Sequence, residues 1–587
     1  MAPSSLATPP DSSSLPSPRT IWARTEALCA NPFLAYLVVV IVQLRVIWNV
    51  WRYKDLVFGD TSSYFLDAVS WTHGLHDDII WSPLYTDVWG SIYALMRGNP
   101  YSSEMVLRVA VVMAAAVLVL AIMRSLVSPA IALAVAVWWT LVPANFNVLY
   151  EVHLFSVLPI LIAALIVART PTRRALGIAL AILVGTTLLL RNEVVITTVL
   201  FACAVAVKEM RQRRQQPVSL VVYGSAFVIP IVASCALVGA LYWRSFDQGH
   251  SAALSFSAKQ KLSFDQAYAF NYQQRYPSRF KDNAFTEYQP LLRQVFGKPE
   301  PTLQQALFAD PRAVGGFVLW NLRLLPSGLQ VALFGATSNG YQPDYIPVST
   351  HENYALVLSI AFLIVLIAGA YSIYRDPLYW RRKWLSQHVW IVILLAAESI
   401  TSLFVVLIEQ RPRPEYMYGL TVTLLAVCAV CVTALLRRLR ITEYASAFIL
   451  LAVLALVIWL PPYYTKSPRP LYNAVNHLQS ARSVLQQPGS VLISANYNFE
   501  LCAYLAATYS HHCSSPSWYA LQAQLTEGKP IEVVLTQAKA TAIYAEPILL
   551  ASPAIDRLVL EPQRYGWRQI AAGSGEGGPW HVLVRIS

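Results

Sequence analysis

Asp60 stands in FGDTSSYFLDAVSWTHG (residues 58–74), a stretch of hydroxyls and rings that also holds Tyr64. A carboxylate in such company can take the proton of a hydroxyl within hydrogen-bond reach, the work of a general base. WSPLY (81–85) follows and brings Tyr85. Three later segments carry groups of the same kind. NVLYEVHLF (147–155) places Glu151 two residues before His153, and RNE (191–193) contains Arg191 and Glu193. EQRPRPEYMYG (409–419) sets Arg411, Arg413 and Tyr416 among Glu409 and Glu415.

The elements that must position these residues are apolar. The 587 residues are 56% hydrophobic and 13% charged, with a mean hydropathy of +0.46. A soluble domain carries about 25% charged residues, so the composition describes a polytopic membrane protein. A spanning helix needs about 20 mainly apolar residues. Eleven candidates lie near 33–51, 105–123, 129–147, 154–168, 175–190, 194–207, 219–243, 353–373, 388–408, 416–436 and 444–461.

The formal net charge of +12 does not indicate a nucleic-acid binder, because the basic residues sit in short clusters between apolar runs. Arg19 and Arg24 precede the first span and Arg124 follows the second. RTPTRR (169–174), KEMRQRR (208–214), YRDPLYWRRKW (374–384) and RRLR (437–440) follow the fourth, sixth, eighth and tenth. All fall on one side, which the positive-inside rule makes cytoplasmic. The N-terminus is therefore expected inside and the C-terminus outside, in the plasma or inner membrane. GFVLWNLRLLPSGLQVALFG (316–335) is apolar but holds Asn321, Arg323 and Pro326. An arginine facing lipid costs roughly 2.5–3.5 kcal/mol, so this segment reads as an interfacial or re-entrant helix.

The expected organisation is a disordered cytoplasmic stretch over 1–30, rich in Pro and Ser, and a membrane domain over 31–461. That domain has outer loops at 52–104 and 244–352. A small extracytoplasmic α/β domain over 462–587 closes the chain. In the last region, 489–507 reads strand, turn, helix, and 540–547 and 580–586 read as strands. GSGEGG (573–578) reads as a hairpin loop. Cys502 and Cys513 can pair if this region faces an oxidising compartment. Cys203, Cys235, Cys428 and Cys431 read as packed apolar residues of helices. With this topology, Asp60, Glu151, Arg191, Arg411 and Arg413 all come to the outer face. Polar groups gathered at one face of a bundle mark a working site.

On these residues the chain resembles the GT-C superfamily of polytopic glycosyltransferases, which use polyprenyl-phosphate-linked sugars, with the architecture of protein mannosyltransferases and aminoarabinose transferases. The resemblance rests on the first-loop Asp60 with WSPLY, on YEVH (150–153), on RPRPEYMYG (411–419), and on an outward-facing C-terminal domain. It implies a fold of about 11 spanning helices, all α, with the α/β domain appended. It also implies inverting transfer of a sugar to an extracytoplasmic acceptor (a protein, a lipid or a glycan), with Asp60 as general base and Glu151 as a second catalytic acid.

Arg191, Arg411 and Arg413 would then bind the polyprenyl phosphate, since guanidinium groups grip phosphate through paired N–H donors. His153, Glu193, Tyr416, Tyr64 and Tyr85 would contact substrate. Asp60, Glu151 and His153 are the candidate ligands should a divalent cation, Mg or Mn, take part. The family often has a second acid beside the first-loop Asp; here the neighbours are Gly59 and Thr61.

Plainer readings exist for each group. Asp60 can cap a helix, Glu151 and His153 can form a polar turn, and arginines can reach lipid headgroups. His73, His76, Asp77 and Asp78 can line an acceptor entrance or a solvated loop. A lipid or glycan flippase and a scaffold without catalysis are the alternative functions.

Overall fold

A computed structural model describes residues 26–74, 82–147, 151–169, 171–215, 219–247, 255–340, 350–505, 508, 511 and 513–586. His76, Asp77, Asp78, Trp81 and Tyr150 lie outside these residues. Of the segment expected to be disordered, residues 26–30 are helical and the rest lies outside the described residues.

All eleven expected spans are helical. Their starts are set by local chemistry. The Asn31 side chain accepts the N–H of Leu34 and opens Pro32–Val46. Asn99 accepts the N–H of Ser102 and opens Pro100–Leu126, and Thr172 does the same for Arg173–Leu189. A proline stands at the start of Pro32–Val46 and Pro100–Leu126, where its missing N–H is no loss.

Among the described residues eight helices are long and apolar enough to cross a membrane, and two shorter apolar ones, Pro129–Leu141 and Ala447–Trp459, lie beside them. The protein is an integral, multi-pass membrane protein, an all-α bundle with a small mixed sheet near its C-terminus.

One of the eight is Pro311–Phe334, the segment that the sequence reading kept out of the bundle. Its polar residues have partners or reach solvent. Asn321 is buried and donates to the Gln410 carbonyl at 2.8 Å, while accepting from Asn271 at 3.1 Å. Arg323 is exposed and lies over the Trp320 ring. The first half of the helix packs on Phe264, Tyr268 and Phe296, and its last turn accepts the Trp138 indole N–H at 2.9 Å.

The C-terminal region contains a four-stranded mixed sheet in the order Leu492–Ile493, Ala542–Ala545, Gly578–Arg585, Trp567–Gly575. The first pair is parallel and the others antiparallel. The expected strands and the helix Asn498–Leu505 are present, and the glycine-rich stretch turns the last hairpin. Cys502 and Cys513 form a disulfide.

This domain is fastened to the bundle by hydrogen bonds. The Asp55 carboxylate accepts the N–H groups of Leu471 and Tyr472 at 3.0 and 2.8 Å. Asn147 donates to the Tyr463 hydroxyl and accepts from that of Tyr464.

Candidate active site

The helix Asp60–Thr72 begins directly after Gly59, whose φ of 73° and ψ of −137° suit a residue without Cβ. Gly59, not Asp60, takes the cap position, so the aspartate is the first helical residue. It is exposed yet crowded by protein. The loss of hydration holds its carboxyl above the usual carboxylate range, and the Arg413 guanidinium pulls it the other way.

One turn on, the buried Tyr64 hydroxyl is raised by burial, with the Arg191 charge opposing. The neighbouring helix Pro83–Leu95 holds Tyr85 edge-on to Tyr64 at 5.6 Å. Its start is tied to the Arg191 turn by Ser82, whose hydroxyl donates to the Leu190 carbonyl at 2.7 Å.

Arg191 is buried, paired with Glu193, and lies 5.8 Å over the Tyr416 ring. Tyr416 ends the short turn Pro414–Tyr416 and meets the His153 ring edge-on at 4.7 Å. Burial raises its hydroxyl, with Arg413 and Arg191 opposing. Arg413 is paired with Glu415. Asp60, Tyr64, His153, Arg191, Glu193, Arg413 and Tyr416 thus form one neighbourhood, drawn from four segments up to 356 positions apart in the sequence.

Two adjoining hollows share Arg191 and Glu193. The larger, of about 270 Å³, opens between the Val194–Gln215 helix and the end of the 386–409 helix and includes Val195, Phe404 and Glu409. The smaller, of about 40 Å³, reaches inward past His153 and Tyr416 to Glu398. Glu398 accepts the Thr197 hydroxyl at 2.8 Å.

Three sequence candidates lie elsewhere. Arg411 is buried with its guanidinium 4.0 Å over the Phe270 ring, roofed by the 255–296 region. Glu151, the first residue of Glu151–Arg169, forms a buried ion pair with Arg108. Tyr85, although it touches Tyr64, is fully buried next to that pair.

This second cluster was not read from the sequence. Arg108 also faces Glu104 at 3.9 Å, and the Tyr504 hydroxyl oxygen lies 3.3 Å from the Glu104 carboxyl. Lys54 donates to Asn147 at 3.1 Å, and burial followed by the Arg108 charge pushes it down to about 7. Glu104 and Arg108 stand four apart at the head of an apolar helix. That spacing was the available signal, because such charges share a helix face and need partners when buried.

The residues do not suit the cation set Asp60, Glu151, His153. Among the described residues no group of three or more His, Cys, Asp or Glu side chains is placed to hold a metal ion. Glu151 is directed at Arg108 instead. No step below runs through a cation.

No family model matches the chain, and no curated protein sequence does. Several solved structures are similar to it. The Archaeoglobus fulgidus oligosaccharyltransferase in complex with Zn and sulfate is 12% identical, with a TM-score of 0.42, covering 93% of this chain and 72% of its own. The archaeal oligosaccharyltransferase AglB from Archaeoglobus fulgidus, in complex with an inhibitory peptide and a dolichol-phosphate, is 12% identical, with a TM-score of 0.37, covering 94% and 74%. ArnT from Cupriavidus metallidurans, bound to undecaprenyl phosphate, is 10% identical, with a TM-score of 0.37, covering 96% and 98%. At these identities and scores the likeness assigns no residue a role. What this chain is similar to is two structures of an archaeal oligosaccharyltransferase and one of ArnT.

Proposed function

We propose that the chain is a membrane glycosyltransferase that moves one sugar from a polyprenyl-phosphate carrier to a hydroxyl acceptor outside the cytoplasm. The observation that carries this reading is the meeting of the Asp60 carboxylate with Arg413 and, through Tyr64, with Arg191. A carboxylate and guanidinium groups from distant segments thereby act on one another, and Arg191 lines both hollows. Beside Arg191 the Val194–Gln215 helix exposes Val195 and Val199. An isoprenoid chain can lie along that apolar face while its phosphate reaches the guanidinium.

The chemistry is one displacement. The acceptor hydroxyl oxygen attacks C1 of the sugar as the C1–O bond to phosphate breaks. The hydroxyl proton passes to Asp60, and the charge growing on the departing phosphate is met by Arg191 and Arg413. A single in-line attack inverts the anomeric centre. His153 and Tyr416 wall the sugar side, and Glu151 acts at a distance by fixing Arg108.

The disulfide of the C-terminal domain supports an oxidising compartment on this face. The clusters at Arg173, Lys208 and Arg437 support the cytoplasm on the other.

The test uses purified protein in lipid nanodiscs with a panel of radiolabelled polyprenyl-phosphate sugars, reading released polyprenyl phosphate and glycosylated product. Asp60→Asn is expected to slow release by about 10²–10⁴-fold while the protein stays folded. Arg191→Gln is expected to weaken binding of polyprenyl phosphate alone about tenfold, the loss of one charge-assisted contact. Wild-type turnover by Asp60→Asn would remove the base. Passage of a labelled carrier across a liposome bilayer with no product formed would replace the enzyme by a transporter.

A further inference from the structure

We propose that the C-terminal domain sets the position of the base, with Glu500 as a positioning residue that acts through Gly59. The inference rests on the transferase reading above.

The helix Asn498–Leu505 lies on the helix that begins at Asp60. From it the Glu500 carboxylate accepts the Gly59 N–H at 3.3 Å. Four residues later, on the same helix face, the Tyr504 hydroxyl donates to the Val57 carbonyl at 2.6 Å. The Tyr504 ring also packs on Phe65 at 5.0 Å, and Ala503 meets Leu66 with both fully buried. The backbone on both sides of Phe58 is thus held by a domain more than 400 residues away in sequence.

Asp60 needs such a hold. It is exposed, and the turn before it relies on a glycine in the left-handed φ region. The place of its carboxyl among the groups that crowd it therefore follows the turn. The holding helix is itself restrained. Cys502 is bonded to Cys513, and Gln486 donates to the Leu505 carbonyl at 3.0 Å. Glu500 does not touch the reacting atoms in this assignment. Its carboxylate serves as an acceptor, and an amide oxygen can serve equally well.

The experiment compares Glu500→Ala, Glu500→Gln and the Cys502→Ser/Cys513→Ser pair in the full-length protein. Displacing a catalytic group by about 1 Å costs up to a hundredfold in rate. Glu500→Ala is expected to lower kcat ten- to a hundredfold with the donor KM unchanged, and Glu500→Gln to return the rate to near wild type. Wild-type kcat in Glu500→Ala overturns the proposal. So does a Glu500→Gln as slow as the alanine variant, which would make the charge the active feature.

A second readout does not depend on turnover. Amide hydrogen exchange across residues 57–66 is expected to quicken in Glu500→Ala and in the double serine variant. Unchanged protection overturns the proposal even if the rates fall. Quickened exchange in a protein that moves a labelled carrier across the bilayer and forms no glycosylated product would instead overturn the transferase reading and leave the contact in place.

Discussion

Removing Arg108 provides a sharp test of how the Asp60 end of the bundle is built. Arg108 is 2% exposed, and its partners Glu104 and Glu151 are each 1% exposed. With Lys54 nearby the group gathers two basic and two acidic side chains at one place in the interior. Arg108→Met leaves two buried carboxylates against one lysine. Breaking a buried pair by removing one partner costs about 3–5 kcal/mol, because the remaining charge is uncompensated. Replacing both partners is often close to neutral, so Arg108→Met/Glu151→Gln should recover most of that loss.

The assay is thermal unfolding followed by tryptophan fluorescence in one detergent, with turnover measured on the folded fraction. The expected order of stability is wild type and the double variant above Glu151→Gln, with Arg108→Met lowest. Two results would refute the reasoning. One is an Arg108→Met protein as stable as wild type. The other is a Glu151→Gln protein that keeps its unfolding temperature but loses turnover by about a hundredfold or more, which would place Glu151 in the chemistry.

Two further outcomes follow from the geometry. As the proposed base Asp60 has to be deprotonated, so the rate should rise with pH through its pKa, which burial holds above the usual range and Arg413 lowers. Arg413→Gln should move the acid limb of the pH–rate profile to higher pH, and a limb that stays put or moves down would sever Arg413 from the base. Gly419→Ala would drive its new methyl into the Glu398 side chain. The expected cost is about 1–3 kcal/mol from overpacking, read as a lower unfolding temperature, and Glu398→Ala in the same chain should relieve it.

What the sequence determined by itself was the set of helices and the end of the bundle to which the polar groups go. Apolar runs of spanning length bounded by Arg and Lys clusters become helices in any fold, because a backbone in lipid must satisfy its own hydrogen bonds. The local patterns of the last region were readable because short apolar runs bounded by turn residues read as strands, as at 542–545 and in the hairpin that closes between Gly575 and Gly578. The assembly of the site was not local.

Arg413 acts on Asp60, Arg191 and Tyr416 act on Tyr64, and His153 meets Tyr416 only because tertiary packing brings segments distant in sequence together. Glu151 is like Asp60 an acid at a helix start with a tyrosine within four residues, yet packing turns it towards Arg108. Asn321 of Pro311–Phe334 is buried only because Gln410 and Asn271 meet it there. In each case a buried charge or amide takes whichever partner the tertiary packing provides, because leaving it alone in a low-dielectric interior costs more than almost any rearrangement of its side chain.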